Sequence, residues 1–222
     1  MKRREFIAQT GSALALAGLA SQASAQNGFQ EGKHYVKLSQ PLAVSAPEGK
    51  IEVLEFFWYS CPHCNAFEPT LDAWARKLPP GIAFRRVPVG FRPNFEPQQR
   101  LYATIEALGL IDSLHRKVFH AIHQQGQKLD KPEAIFAFVE KNGADRAKFT
   151  EMYNSFGMQS KVRQFSQLSA AYKIDGVPSI GIHGRFYTSP SLAGGEGTPE
   201  SEGGARALAL TEQLVARLRK GG

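Results

Sequence analysis

Ile51-Glu52-Val53-Leu54-Glu55-Phe56-Phe57-Trp58-Tyr59-Ser60-Cys61-Pro62-His63-Cys64 runs from a strand pattern straight into a closely spaced cysteine pair. Its first eight residues are dense in β-branched and aromatic side chains. Toward the end both alternating faces are apolar, which predicts a central strand covered on both sides. After Cys61, apolar residues recur at Phe67, Leu71, Trp74 and Leu78, a helical spacing, and Pro79-Pro80-Gly81 stops that helix. The cysteines therefore fall where a strand ends and a helix begins.

Tyr35-Val36-Lys37-Leu38 reads as a short edge strand, followed by a Pro/Ala/Ser-rich connection from Pro41 to Pro47. Ile82-Ala83-Phe84-Arg85-Arg86-Val87, with Pro88 at its end, reads as a second strand. From about Asn94 to Tyr172 the pattern is helical, with stripes such as Leu101, Ile105, Leu108 and Leu114, Val118, Phe119, Ile122, punctuated by Gly109, Gly126, Pro132 and Gly143. Strand character returns at Ser179-Ile180-Gly181-Ile182 and at Arg185-Phe186-Tyr187. A Gly-rich loop from Ser189 to Gly204 then leads to a last amphipathic helix. Strand, helix, strand, a helical block, two strands and a helix make one α/β sheet interrupted by a helical insertion.

Residues 1–25 read as a cleaved secretory signal. Lys2, Arg3 and Arg4 precede a short Ala/Leu/Gly run, and Ala23-Ser24-Ala25 forms a small-residue cleavage box. Arg3-Arg4-Glu5-Phe6-Ile7 also resembles a twin-arginine signal. The run is too short to span a bilayer. Cleavage removes three positive charges and one negative, taking the formal charge of the 222-residue chain from +7 to +5. The surplus is scattered over Arg76-Lys77, Arg85-Arg86, Arg116-Lys117, Arg217 and Arg219-Lys220, with no interleaved basic and aromatic stretch, so a solvated basic surface is expected and nucleic acid is not a partner.

The chain has two cysteines, three positions apart. In an exported protein cysteines usually staple distant segments, but a disulfide across so small a loop adds little stability. This pair is there to react. At a helix N-terminus, unpaired backbone N–H groups and the dipole favour thiolate on Cys61, and His63 beside it adds to that effect. Cys64, one turn later and facing inward, keeps a higher pKa; Cys61 exchanges with partners and Cys64 resolves. A structural zinc site would need a second ligand pair, and His115, His120 and His123 are expected along one exposed helix face, so no metal is expected. Haem attachment would need His where Asn65 stands. Glu55, within the strand, is either a structural ion paired with Arg86 or a proton donor and acceptor for Cys64. Pro178, in Gly176-Val177-Pro178-Ser179, opens a strand where no ladder N–H is needed.

Leu54-Glu55-Phe56-Phe57 leading into Cys61-Pro62-His63-Cys64, with Gly176-Val177-Pro178 downstream, closely resembles the DsbA family of periplasmic disulfide oxidases. Gly32-Lys33-x-Tyr35 and Asn154-Ser155-Phe156 extend the resemblance over nearly all the mature chain. It implies a thioredoxin-like fold made of residues 26–91 and 171–222 with a helical insertion at 92–170. It also implies a cis Val177–Pro178 bond facing the disulfide, with the backbone at Val177 pairing with an extended substrate, and a proton-relay role for Glu55. The implied activity is donation of the Cys61–Cys64 disulfide to newly exported chains by a monomeric periplasmic enzyme without cofactor, reoxidised by a DsbB-like membrane partner. Trp58, Tyr59 and Ser60, and the Ser189–Gly204 loop, depart from the best-known members. Two alternatives are a reductase or isomerase of the same fold, for which no dimerisation segment is read before Tyr35, and a non-enzymatic peptide-binding chaperone.

Overall fold

Strand β2 (Ile51–Phe57) is buried at every position and lies between β3 (Ile82–Pro88), parallel to it, and β4 (Ser179–Ile182), antiparallel. The computed structural model describes residues 28–220; the expected signal at 1–25 lies outside them. β5 (Phe186–Thr188) and the two-residue β1 (Val36–Lys37) complete a mixed sheet in the order β1-β5-β4-β2-β3. Helix α1 (Pro62–Ala75) makes the crossover from β2 to β3.

Five helices separate β3 from β4: α2 (Glu96–Ala107), α3 (Ile111–His123), α4 (Pro132–Lys141), α5 (Arg146–Asn154) and α6 (Phe156–Ala171). Asp145 and Ser155 cap α5 and α6 by accepting from the backbone N–H of Lys148 and Met158, which satisfies donors that a helix start leaves open. The two faces of β2 explain its apolar run. Leu54 and Phe56 pack with Leu101, Ile105, Phe165 and Tyr172 of the helical block. Ile51 and Val53 pack with Phe67 and Leu71 of α1 and with Leu210 and Leu214 of the last helix, α8 (Glu200–Lys220).

The Ser189–Gly204 segment is not the loop its composition suggests. It holds a short helix, α7 (Pro190–Gly194), and the first turn of α8. Gly203 and Gly204 are packing residues. A Cβ on Gly203 would lie 2.6 Å from the Pro190 carbonyl oxygen, and one on Gly204 would lie 2.9 Å from Cδ2 of Phe67. Their small size lets α8 press against α7 and α1, a requirement that composition cannot distinguish from flexibility.

Candidate active site

Cys61 is the N-cap of α1, with φ −80° and ψ 118°, and Pro62 follows at the first helical position. Proline suits that position because its missing N–H would have no intrahelical acceptor. The Cys61 carbonyl accepts from the Asn65 N–H at 3.1 Å, and the Cys61 N–H donates to the Trp58 carbonyl at 3.0 Å. The turn before the helix is anchored residue by residue. Trp58 stacks on Phe95 with ring centroids 3.9 Å apart, and Ser60 Oγ accepts from Gln98 Nε2 at 2.7 Å.

Both cysteines are free thiols in this structure. The Cys61 thiol donates to the Val177 carbonyl at 3.4 Å, and the Val177–Pro178 bond is cis, as the family resemblance implied. The pKa of Cys61 falls from an ordinary 9.0 to about 6. The largest cause is a hydrogen bond from Cys64, which outweighs the opposing effect of burial; the backbone N–H groups of Cys64 and His63 and the charge of His63 follow. The sequence pointed to the backbone and His63 but not to Cys64 as donor. Burial pushes Cys64 well above the ordinary thiol value, and its side chain has no exposure.

His63 points outward and lies 2.7 Å, through Nδ1, from Glu200 Oε1 on the first turn of α8; the two side chains are 69% and 47% exposed. Together with Phe67, Val177, Pro178 and Leu192 they line a groove of about 710 Å3 beside Cys61. Among the described residues no group of three or more His, Cys, Asp or Glu is arranged to hold a metal ion.

The inner side of the motif is polar and closed. The β2–β3 register sets Glu55 beside Arg86. Arg86 donates through Nε to Glu55 Oε2 and through Nη2 to Glu68 Oε1, each at 2.9 Å, and Nη2 lies 3.8 Å from Asp72 Oδ1. Burial raises both Glu55 and Glu68 above the ordinary carboxylate range, and Arg86 opposes it. The charge of Glu55 in turn contributes to the raised value of Cys64. Arg86 is thus buried, contrary to its place in the expected solvated surface, because two inward carboxylates need a cation.

His115 also departs from expectation. It is 2% exposed rather than on an open helix face, because α3 packs it against the rings of Phe57, Tyr59 and Tyr102. Its Nδ1 lies 2.7 Å from the Tyr59 hydroxyl and its Nε2 3.4 Å from Glu68 Oε1. His123 is half-buried, 2.8 Å through Nε2 from the Tyr59 carbonyl, and only His120 is exposed. Periodicity held the signal for both unforeseen residues. Glu68 follows Cys64 by four and precedes Leu71 by three, on the buried face of α1, and His115 shares the stripe of Val118 and Ile122.

A cysteine pair at the start of the helix after a central strand, facing an X–Pro segment across a mixed sheet, defines a thioredoxin-like thiol–disulfide oxidoreductase. A sequence model of the DSBA-like thioredoxin domain matches residues 79–197, and the chain belongs to that family. It is 40% identical over 206 residues to the thiol:disulfide interchange protein DsbA of Pseudomonas aeruginosa, covering 93% of each chain. It is 44% identical over 160 residues to the same protein of Burkholderia cepacia, covering 72% of this chain and 76% of that one. The crystal structure of Pseudomonas aeruginosa DsbA superposes with a TM-score of 0.80 at 38% identity, over 86% of this chain and 95% of the other.

Proposed function

We propose that the oxidised protein donates a Cys61–Cys64 disulfide to cysteines of newly exported proteins. Residues 26–91 and 171–222 would form its thioredoxin-like part and residues 92–170 the inserted helices. A substrate thiolate attacks Cys61, the Cys61–Cys64 bond breaks, and the electron pair leaves on Cys64, which takes a proton from Glu55. A second substrate thiolate then attacks the substrate sulfur of the mixed disulfide and expels Cys61 as thiolate. Pro62 starts the helix that activates Cys61, His63 adds positive character beside it, and Val177 and Pro178 offer backbone to an extended substrate. The setting is the periplasm after removal of residues 1–25, as a monomer, with reoxidation by a DsbB-like membrane protein.

The observation that carries the direction of transfer is the inequality of the two sulfurs. A thiolate stabilised down to about 6 at Cys61 stabilises the dithiol form, so the disulfide form is a strong oxidant. Equilibration against glutathione buffers tests this. The donor reading requires a couple more oxidising than the glutathione pool; a strongly reducing couple with an ordinary Cys61 titration would instead favour a reductase.

A further inference from the structure

Glu55 and Glu68 take hydrogen bonds from two nitrogens of one guanidinium, and both are out of solvent. One buried cation does not neutralise two buried anions, so the pair retains a proton into the neutral range and titrates as a unit. Several groups face the pair. β3 supplies Arg86, α1 supplies Asp72 and Cys64, α3 supplies His115 and Arg116, α2 supplies Tyr102, and the turn after β2 supplies Tyr59. Oε1 of Glu55 and Oε2 of Glu68 are buried without a hydrogen-bond partner. Arg86 gives each carboxylate one bond of equal length, so it does not by itself decide which of them holds the proton.

α3 faces Glu68 with two groups, Arg116, whose charge lowers the Glu68 value, and His115. The Tyr59 hydroxyl is buried and among the described residues has His115 Nδ1 as its hydrogen-bond partner, at 2.7 Å. Burial holds this phenol in its protonated form and His115 in its neutral form. If the hydroxyl accepted from Nδ1, its own hydrogen would be stranded in the core; it therefore donates, and the imidazole hydrogen resides on Nε2. Nε2 is buried without a hydrogen-bond partner and lies 3.4 Å from Glu68 Oε1. His123 holds the Tyr59 carbonyl at 2.8 Å, which fixes the same residue from its other end.

We propose that His115 is the positioning residue that assigns the shared proton: its Nε2–H faces Glu68 and favours the anion there, leaving the proton on Glu55, whose charge bears on Cys64. The use of that proton rests on the donation reading above. As the disulfide opens, the Glu55 carboxyl proton moves to the Cys64 sulfur, and Glu55 becomes an anion already hydrogen-bonded by Arg86. Reoxidation returns the proton from Cys64 to Glu55.

The test follows the side-chain carboxyl NMR signals of isotope-labelled glutamate through a pH titration of the reduced protein, assigned with Glu55→Gln and Glu68→Gln. In the parent protein Glu68 ionises at lower pH than Glu55. In His115→Leu the gap closes or reverses, and His115→Gln, which keeps a side-chain N–H, restores part of it. Tyr59→Phe frees Nδ1 and narrows the gap with little change in bulk, so it decides the matter even if His115→Leu does not fold. A gap unchanged in Tyr59→Phe and in any folded His115→Leu overturns the proposal, since a merely structural His115 would lower stability without reordering the midpoints. The relay reading fails separately. If Glu55→Gln leaves the rate of disulfide opening unchanged across pH, the donor step is lost while the proton assignment stands.

Discussion

The first turn of α1 has two sides built on opposite rules. Outward, Cys61 meets backbone: the Val177 carbonyl, the open N–H groups of its own helix, and His63 with Glu200 at a solvent-exposed rim. Inward, the buried Cys64 lies near Glu55, which Arg86 links to Glu68 by hydrogen bonds, with His115 3.4 Å from Glu68. The Cys61 pKa is lowered first by a hydrogen bond from Cys64, reaching out from the inner side, and then by the backbone N–H groups of the helix start and by His63. The inner side raises pKa values by burial and must balance its charges internally. One helix start thereby produces two thiols of opposite character.

The comparison breaks most completely at the sulfurs themselves. Cys61→Ser should abolish thiol–disulfide exchange, whereas Cys64→Ala should accumulate mixed disulfides through Cys61, seen as thiol-sensitive conjugates after incubation with a cysteine peptide. If Cys61→Ser kept its activity, a chaperone reading would replace that of an enzyme. The next largest effect is expected at Arg86. Arg86→Leu strands two buried carboxylates and should cost about 3–5 kcal/mol in urea unfolding at neutral pH. Glu55 and Glu68 are raised above their unfolded values, so the folded state binds their protons more tightly. Their contribution is complete below the ordinary carboxylate range and falls as pH rises, so the variant should recover in mild acid.

Cys61 has the opposite sign. Its folded value is lowered from 9.0 to about 6, so the stability it lends the reduced form is present above 9 and is lost as pH falls through 6. The stability of reduced relative to oxidised protein, measured by urea unfolding, should therefore climb across that window, and a flat difference would mean that Cys61 is not activated. His63→Ala should raise the Cys61 titration followed by thiolate absorbance and shift the glutathione equilibrium toward a weaker oxidant by roughly tenfold. Glu200→Gln, at an exposed pair, should change that equilibrium by about twofold at most, with a response that fades in high salt.

The outer side was largely legible in the sequence. A strand rich in β-branched and aromatic residues entering Cys61-Pro62-His63-Cys64 fixes the helix start, and with it the unequal roles expected of the cysteines. Glu55 with Arg86 was legible as a pair because adjacent parallel strands bring them together. The rest of the inner side was not, since a charged or imidazole side chain on a helix reads as exposed unless its face is checked against the apolar stripe. Glu68 and His115 occupy such stripes. Gly203 and Gly204 misled for a related reason: a glycine needed for contact and one needed for flexibility look alike until the neighbouring helix is seen.

That glycine contact sets a rule for anyone engineering this scaffold. Rim position 200 accepts other side chains without a packing clash, because Glu200 ends in solvent. Position 204 does not, although it lies far along the chain from the motif. A methyl group there would strike the Phe67 ring of the helix that carries Cys61 and Cys64 at its start, so a library that spares the active-site loop but randomises the last helix would still disturb the packing of the helix on which the motif sits.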